Sequence, residues 1–244
     1  MLSSAARSLL NLNAALQAAG GATAIPIPVD GAPSAGWTTQ RLAWAGKRCL
    51  DVAGALLLLA LTGPLLALCA ALVRWTSPGP AFYAHVRVGR GGKAFRMWKL
   101  RTMYQDSAAI LARHFQENPA AREEWRQTFK LKNDPRITPL GRYLRRFSVD
   151  ELPQLWNVLV GDMSLVGPRP IVVEEIERYG DKYAAYAAVR PGITGLWQIS
   201  GRSDTAYGQR VRLDERYVRE WSFGTDLIIL LKTTGVVLRG RGAY

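Results

Sequence analysis

The sequence predicts an α+β fold, a mostly helical, membrane-associated domain with a re-entrant (broken) hydrophobic helix, amphipathic interfacial helices and a few short strands. Three observations carry this. Residues 52–73 form a run of 22 without a charge, nearly all Leu, Ala, Val or Gly. A helix start at Thr138-Pro139 leads into a segment with Leu140, Leu144 and Phe147 on one face and Arg142, Arg145 and Arg146 on another. Phe82-Tyr83 and Phe95-Arg96-Met97-Trp98 read as short strands around a tight turn at residues 89–92.

Taken in order, residues 1–46 read as a disordered N-terminal tail. Ala, Gly, Pro and Ser dominate it, and Ile25-Pro26-Ile27-Pro28 followed by Gly31-Ala32-Pro33-Ser34 has linker composition. Residues 5–19 have the makings of a short helix. They are a poor signal peptide, because Arg7 is the one early positive charge and Asn11, Asn13 and Gln17 interrupt the apolar run. Residues 47–76 are the membrane segment. Gly63-Pro64 sits at its middle, and Lys47, Arg48 and Arg74 make both ends basic. Positive charge favours the cytoplasmic face, so a helix that dips in, breaks at Gly63-Pro64 and returns keeps both ends on one side. Each half is about 16 Å long, too short to cross alone. A straight span stays the alternative; a core helix of a soluble protein fits 22 uncharged residues least well.

Residues 77–244 then form the main domain, opened by the turn Ser77-Pro78-Gly79-Pro80. Residues 105–132 read as helical with a break at Asn118-Pro119. A further apolar helix at 221–238 is too interrupted to span a membrane.

Charge and cysteine content narrow the function. The formal net charge is +13, and residues 86–146 hold fifteen basic against five acidic side chains. Such a block faces something anionic: nucleic acid, a headgroup surface or a phosphorylated substrate. The basic residues follow no helix-turn-helix or RNP pattern, and nucleic acid leaves the apolar segment unexplained, so no nucleic-acid partner is expected. With Cys49 and Cys69 as the only cysteines and His85 and His114 as the only histidines, a disulfide scaffold, a zinc site and a Ser-His-Asp triad are all disfavoured.

The strongest chemical signal is Ser148-Val149-Asp150-Glu151-Leu152-Pro153. Ser-x-x-Glu is a capping box and needs no function. Pro153 argues against Ser148 as the cap, because it would then fall at the fifth helical position; with Asp150 as the cap it falls in the tolerated first turn. That helix would run to about Val160, bury Leu152, Leu155, Trp156 and Leu159, and stop at Gly161. Asp150 at its start is a candidate nucleophile, and Glu151 beside it could share Mg2+, which takes one or two carboxylates plus substrate phosphates. Arg169, framed by Pro168 and Pro170, suits bidentate phosphate binding. Lys99 and Arg101 in Lys-Leu-Arg-Thr-Met, with Arg145, add cations upstream.

These motifs, followed by Arg190-Pro-Gly-Ile-Thr-Gly-Leu-Trp-Gln and Ile199-Ser-Gly-Arg, resemble the bacterial sugar transferases. These are the polyprenyl-phosphate hexose-1-phosphate transferases, or monotopic phosphoglycosyl transferases; the likeness covers residues 47–244 and is greatest to the type that initiates exopolysaccharide repeat units. The resemblance implies transfer of sugar-1-phosphate from a UDP-sugar, UDP-galactose or UDP-glucose, to undecaprenyl phosphate, with release of UMP. It implies a phosphosugar-aspartate at Asp150, Mg2+ held by Glu151 and Asp150, and phosphate contacts from Lys99, Arg101, Arg145 and Arg169. Arg202 and Asp214 would be further substrate-binding residues. The family usually breaks its membrane helix at Ser-Pro, where this chain has Gly63-Pro64. The implied location is the bacterial inner (cytoplasmic) membrane, with the catalytic domain on the cytoplasmic face and membrane lipid as a partner. Homo-oligomerisation is left open. The alternative function is a non-catalytic membrane scaffold that binds anionic lipid, which would not need Asp150, Glu151 and Arg169 together.

Overall fold

The apolar segment lies within one 40-residue helix, α1 (Trp37–Thr76). The computed structural model describes residues 37–128, 131–201 and 206–239; most of the expected tail, including residues 5–19, lies outside them. The helix begins at Trp37, earlier than the expected boundary at 47, and it runs on through Gly63-Pro64 where the sequence predicts a break. Proline deletes one intrahelical bond and bends a helix without having to end it. Just before it, the Thr62 hydroxyl donates back to the Leu58 carbonyl at 2.6 Å, a bond that also bends helices. The 34 residues from Ala43 to Thr76 are long and apolar enough to cross a membrane. Leu56, Leu57, Leu61, Leu65 and Leu68 in its middle are exposed.

Both ends of α1 pack on the same body. Near the start, Lys47 and Arg48 turn inward instead of facing headgroups. Lys47 is buried and its Nζ reaches Asp226 Oδ2 at 2.6 Å and the Val166 carbonyl at 3.0 Å. Arg48 donates to the carbonyls of Val158 and Leu159 at 2.7 and 2.9 Å. Asp51 accepts from the Ser164 hydroxyl and the Leu165 N–H, both at 2.9 Å. Near the other end, Cys69 and Val73 pack with Leu100 and Leu144.

The body opens with an antiparallel hairpin, β1 (Phe82–Val88) and β2 (Ala94–Leu100), in which Tyr83 faces Lys99. The positive φ of Gly91 (68°) and Gly92 (72°) makes its turn. Helices α2 (Ser107–Glu117) and α3 (Pro119–Thr128) follow, parted at Asn118 as expected. Helix α4 (Pro139–Arg146) starts where predicted, with the Thr138 hydroxyl accepting from Gly141 N–H at 2.9 Å. A 3-10 turn (Val149–Glu151) leads into α5 (Gln154–Val160), which ends at Gly161 in the left-handed region.

The rest is compactly wound. Strand β3 (Ser164–Val166) pairs in parallel with β4 (Gly192–Thr194). Between them lie the short helices α6 (Ile176–Tyr179) and α7 (Tyr183–Ala188). Helix α8 (Leu196–Ile199), α9 (Tyr207–Arg219) and α10 (Phe223–Arg239) complete the chain. The main core gathers Ala55, Met97, Leu155, Val158, Met163, Leu165, Val166, Tyr217 and Ile229, so α1, β2, α5, β3, α9 and α10 meet there. A second core under β1 is rich in tyrosine: Tyr179, Tyr183 and Tyr186 with Val88 and Ile171.

Candidate active site

Asp150 sits in the 3-10 turn before α5, not at the cap of a longer helix. Ser148 is the reason: its φ of 55° places it in the left-handed region, the only non-glycine there among the described residues. It turns the chain sharply out of α4, and the backbone closes with Glu151 N–H to Ser148 O (3.1 Å) and Leu152 N–H to Val149 O (3.2 Å). Pro153 occupies the cap of α5, where its missing N–H is not needed. Trp156, expected in the core, is exposed together with Val160 one turn on, while Asn157 is buried. Asn157 is a residue that hydrophobic patterning does not single out. Its amide accepts from Trp98 N–H (3.0 Å) and donates to Arg96 O (2.7 Å), stitching α5 to the edge of β2.

That stitch sets β2 beside the turn. Lys99 Nζ meets Glu151 Oε1 at 2.7 Å, both side chains partly exposed. The motif after it divides its labour residue by residue. Leu100 is core. Arg101 bonds the carbonyls of Ser77 (2.7 Å), Gly79 (3.3 Å) and Pro78, so it fixes the turn that ends α1 and is not brought to the site. Thr102 accepts from Arg145 Nε at 2.9 Å. Gly141 makes this approach possible, since a Cβ there would run into the Thr102 carbonyl.

The Asp150 carboxyl is buried, and burial, with Glu151 alongside, pushes it up to about 6; Lys99 and Arg145 pull it back. Arg145 is itself held below its ordinary range by burial, offset first by Asp150. The carboxylates and cations therefore form one electrostatic unit.

Arg169 reaches the same cleft. This cleft is lined by Lys99, Glu151, Gln154, Arg169, Pro170 and Gln198 among others. Pro168 and Pro170 are buried and Arg169 between them is exposed. Gly192 N–H donates to Pro168 O (2.7 Å), Gly167 N–H to Thr194 O (2.9 Å), and Arg87 to Pro170 O (3.3 Å). A Cβ on Gly167 would lie 2.6 Å from the Arg190 carbonyl, so the two glycine-bearing motifs are halves of one close crossing. Asp214 is buried one layer behind, where Tyr179 OH donates to its Oδ2 at 2.8 Å. Burial pushes its carboxyl up to about 7. Arg202 lies outside the described residues.

Among the described residues, no three His, Cys, Asp or Glu side chains converge as a metal cage. Adjacent carboxylates at Asp150 and Glu151, one of them partly exposed at the cleft, still fit Mg2+, which draws its remaining ligands from phosphate and water.

Comparison with known proteins identifies the family. The profile of the family described as bacterial sugar transferase matches residues 42–240. The chain belongs to that family. The undecaprenyl-phosphate galactose phosphotransferase of Salmonella typhimurium is 50% identical over 202 residues, which are 81% of this chain and 41% of that protein. The exopolysaccharide production protein ExoY of Rhizobium meliloti is 48% identical over 198 residues, 81% of this chain and 88% of its own length. The UDP-glucose:undecaprenyl-phosphate glucose-1-phosphate transferase of Caulobacter vibrioides is 42% identical over 207 residues, 72% of its length. This bacterial sugar transferase thus spans less than half of the Salmonella relative and most of the Rhizobium one.

Proposed function

We propose that the protein transfers sugar-1-phosphate from a UDP-sugar, UDP-galactose or UDP-glucose, to undecaprenyl phosphate, as the first membrane step of exopolysaccharide or other surface glycan synthesis. The observation that carries this is a cleft lined by Lys99, Glu151 and Arg169, with the buried Asp150 electrostatically coupled to Glu151, Lys99 and Arg145. The names of the relatives supply the donor and the lipid carrier.

In this reading an Asp150 carboxylate oxygen attacks the sugar-bearing phosphorus of the donor. The bond to the bridging oxygen breaks and UMP leaves with the electron pair. An oxygen of undecaprenyl phosphate then attacks the same phosphorus, forms the lipid diphosphate-sugar and returns Asp150 as a free carboxylate. Arg169 and Lys99, which both line the cleft, stabilise the phosphates. Arg145, held by Thr102, keeps Asp150 ionised. Asp150 and Glu151 would hold Mg2+, which when bound supplies positive charge to the diphosphate. A purified enzyme that releases UMP with one UDP-sugar, and an Asp150→Asn variant that does not, is the test.

The membrane reading follows the same pattern. Ala55 shares a core with Met97, and Cys69 shares one with Leu100. Met97 and Leu100 are about 10 Å apart along β2, whereas Ala55 and Cys69 would be about 21 Å apart in a straight helix. Both ends of α1 returning to one body supports a helix bent at Gly63-Pro64 that enters and leaves on the cytoplasmic face of the inner membrane. Tyr143 and Phe147 of α4, Trp156 and Val160 of α5, and Leu227, Ile228 and Leu231 of α10 are exposed apolar groups suited to the interface. Cys49 and a cysteine placed by Thr76→Cys should both react with an impermeant thiol reagent from the cytoplasmic side only; reaction from opposite sides would mean a straight span.

A further inference from the structure

Behind the wall that carries Arg169, the structure holds a second arginine that the sequence motifs do not mark. The ring of Trp197 is buried, and two guanidiniums lie over it: Arg210 at 4.8 Å and Arg169 at 5.8 Å from its centroid. A cation over an indole face is attracted by the ring quadrupole, so Trp197 can hold two like charges close together that would otherwise separate. Each of Arg87 and Arg210 feels the repulsion of Arg169. Glu175 lies 3.9 Å from Arg87, and Asp214 attracts both Arg169 and Arg210. Asp214 lies one helical turn after Arg210 on α9, and its Oδ1 has no hydrogen-bond partner. A ring that draws two guanidiniums to within about 6 Å of its centroid matches a ligand with two adjacent anionic groups.

We infer that Arg210, stacked on Trp197 beside Arg169, is a second phosphate-binding arginine, and that the pair clamps the diphosphate of the nucleotide donor. The inference rests on the transferase reading above and deepens it. Arg169 lines the cleft and Arg210 shares its indole ring, so the pair would grip the donor's diphosphate beside the phosphorus that Asp150 attacks. Trp197 acts as the platform, and Asp214 attracts both guanidiniums from behind it.

The test is equilibrium binding of UDP to the detergent-purified full-length protein by calorimetry, in wild type, Arg210→Gln and Arg210→Lys. Loss of one charge-assisted contact predicts UDP binding about tenfold weaker or more in Arg210→Gln. Arg210→Lys should fall between, keeping the charge and losing the planar fork. The KM for undecaprenyl phosphate should not move. UDP affinity in Arg210→Gln within twofold of wild type overturns the inference, as does a change confined to the lipid phosphate. Arg210 is only half-buried, so the variants should fold. Wild-type protein that binds UDP yet releases no UMP from any UDP-sugar would sink the transferase reading while the arginine pair still stands or falls on UDP affinity. Wild-type protein that binds no UDP overturns both.

Discussion

Lys47→Met tests how the membrane helix is tied to the domain. The Lys47 ammonium and the Asp226 carboxylate are 2.6 Å apart, with side chains 7% and 0% exposed. Tyr217 OH and Trp221 Nε1 also donate to Asp226, at 2.7 and 3.2 Å. Removing the lysine leaves a fully buried carboxylate with two neutral donors and no counter-charge. Breaking a buried pair from one side costs about 3–5 kcal/mol, because the orphaned charge keeps its desolvation penalty. For a chain of this size that is roughly 6–20 °C in the unfolding midpoint. The assay is unfolding of detergent-purified protein followed by tryptophan fluorescence, to which the stacked pair Trp44–Trp221, 4.3 Å between centroids, lies close. Lys47→Met with Asp226→Leu should recover part of the loss, since replacing both members of a buried pair by apolar groups is often neutral. A Lys47→Met protein within about 1 kcal/mol of wild type, or a double variant worse than the sum of the singles, would refute the reasoning.

Other outcomes follow from the same structure. The kcat/KM for UMP release should rise with pH through about 6, because Asp150 must be ionised to attack; a profile flat from pH 5 to 8 would contradict this. Asp214 is raised from an ordinary 3.8 to about 7, so its contribution to stability is full below 3.8 and is lost as pH rises through 7. Asp214→Asn should therefore gain on wild type between pH 4 and 8, by up to about 4 kcal/mol in denaturant unfolding. Asn157→Ala leaves the Trp98 N–H and the Arg96 carbonyl without their side-chain partner and should cost about 2–4 kcal/mol, read in the same unfolding assay. Chelation of divalent cations should abolish UMP release and added Mg2+ should restore it; undiminished release in chelator would remove the carboxylate pair from metal binding.

Much of this molecule is legible in its sequence because short motifs carry local rules. Thr138-Pro139 starts a helix and Asn118-Pro119 parts two, each for a reason contained in three or four residues. What was not legible depends on distant partners. Lys47 reads as a membrane flank until Asp226, 179 positions away, is brought against it. Arg101 reads as a phosphate ligand from its place in Lys-Leu-Arg-Thr-Met, yet just past the end of β2 it turns to the carbonyls of residues 77–79. The exposure of Trp156 cannot be read from helical periodicity, because Asn157 takes the buried face to bond β2. Strands β3 and β4 are three residues each, too short for a period to show. A left-handed Ser148 has no signature in composition at all.

The most direct test of the proposed chemistry is intact-mass analysis of the protein mixed with its UDP-sugar and Mg2+ without undecaprenyl phosphate. The proposal predicts one sugar-phosphate adduct on Asp150, discharged when undecaprenyl phosphate is added and absent in Asp150→Asn. Asp150→Asn protein that turns over at the wild-type rate, or an adduct mapped to another residue, would contradict it.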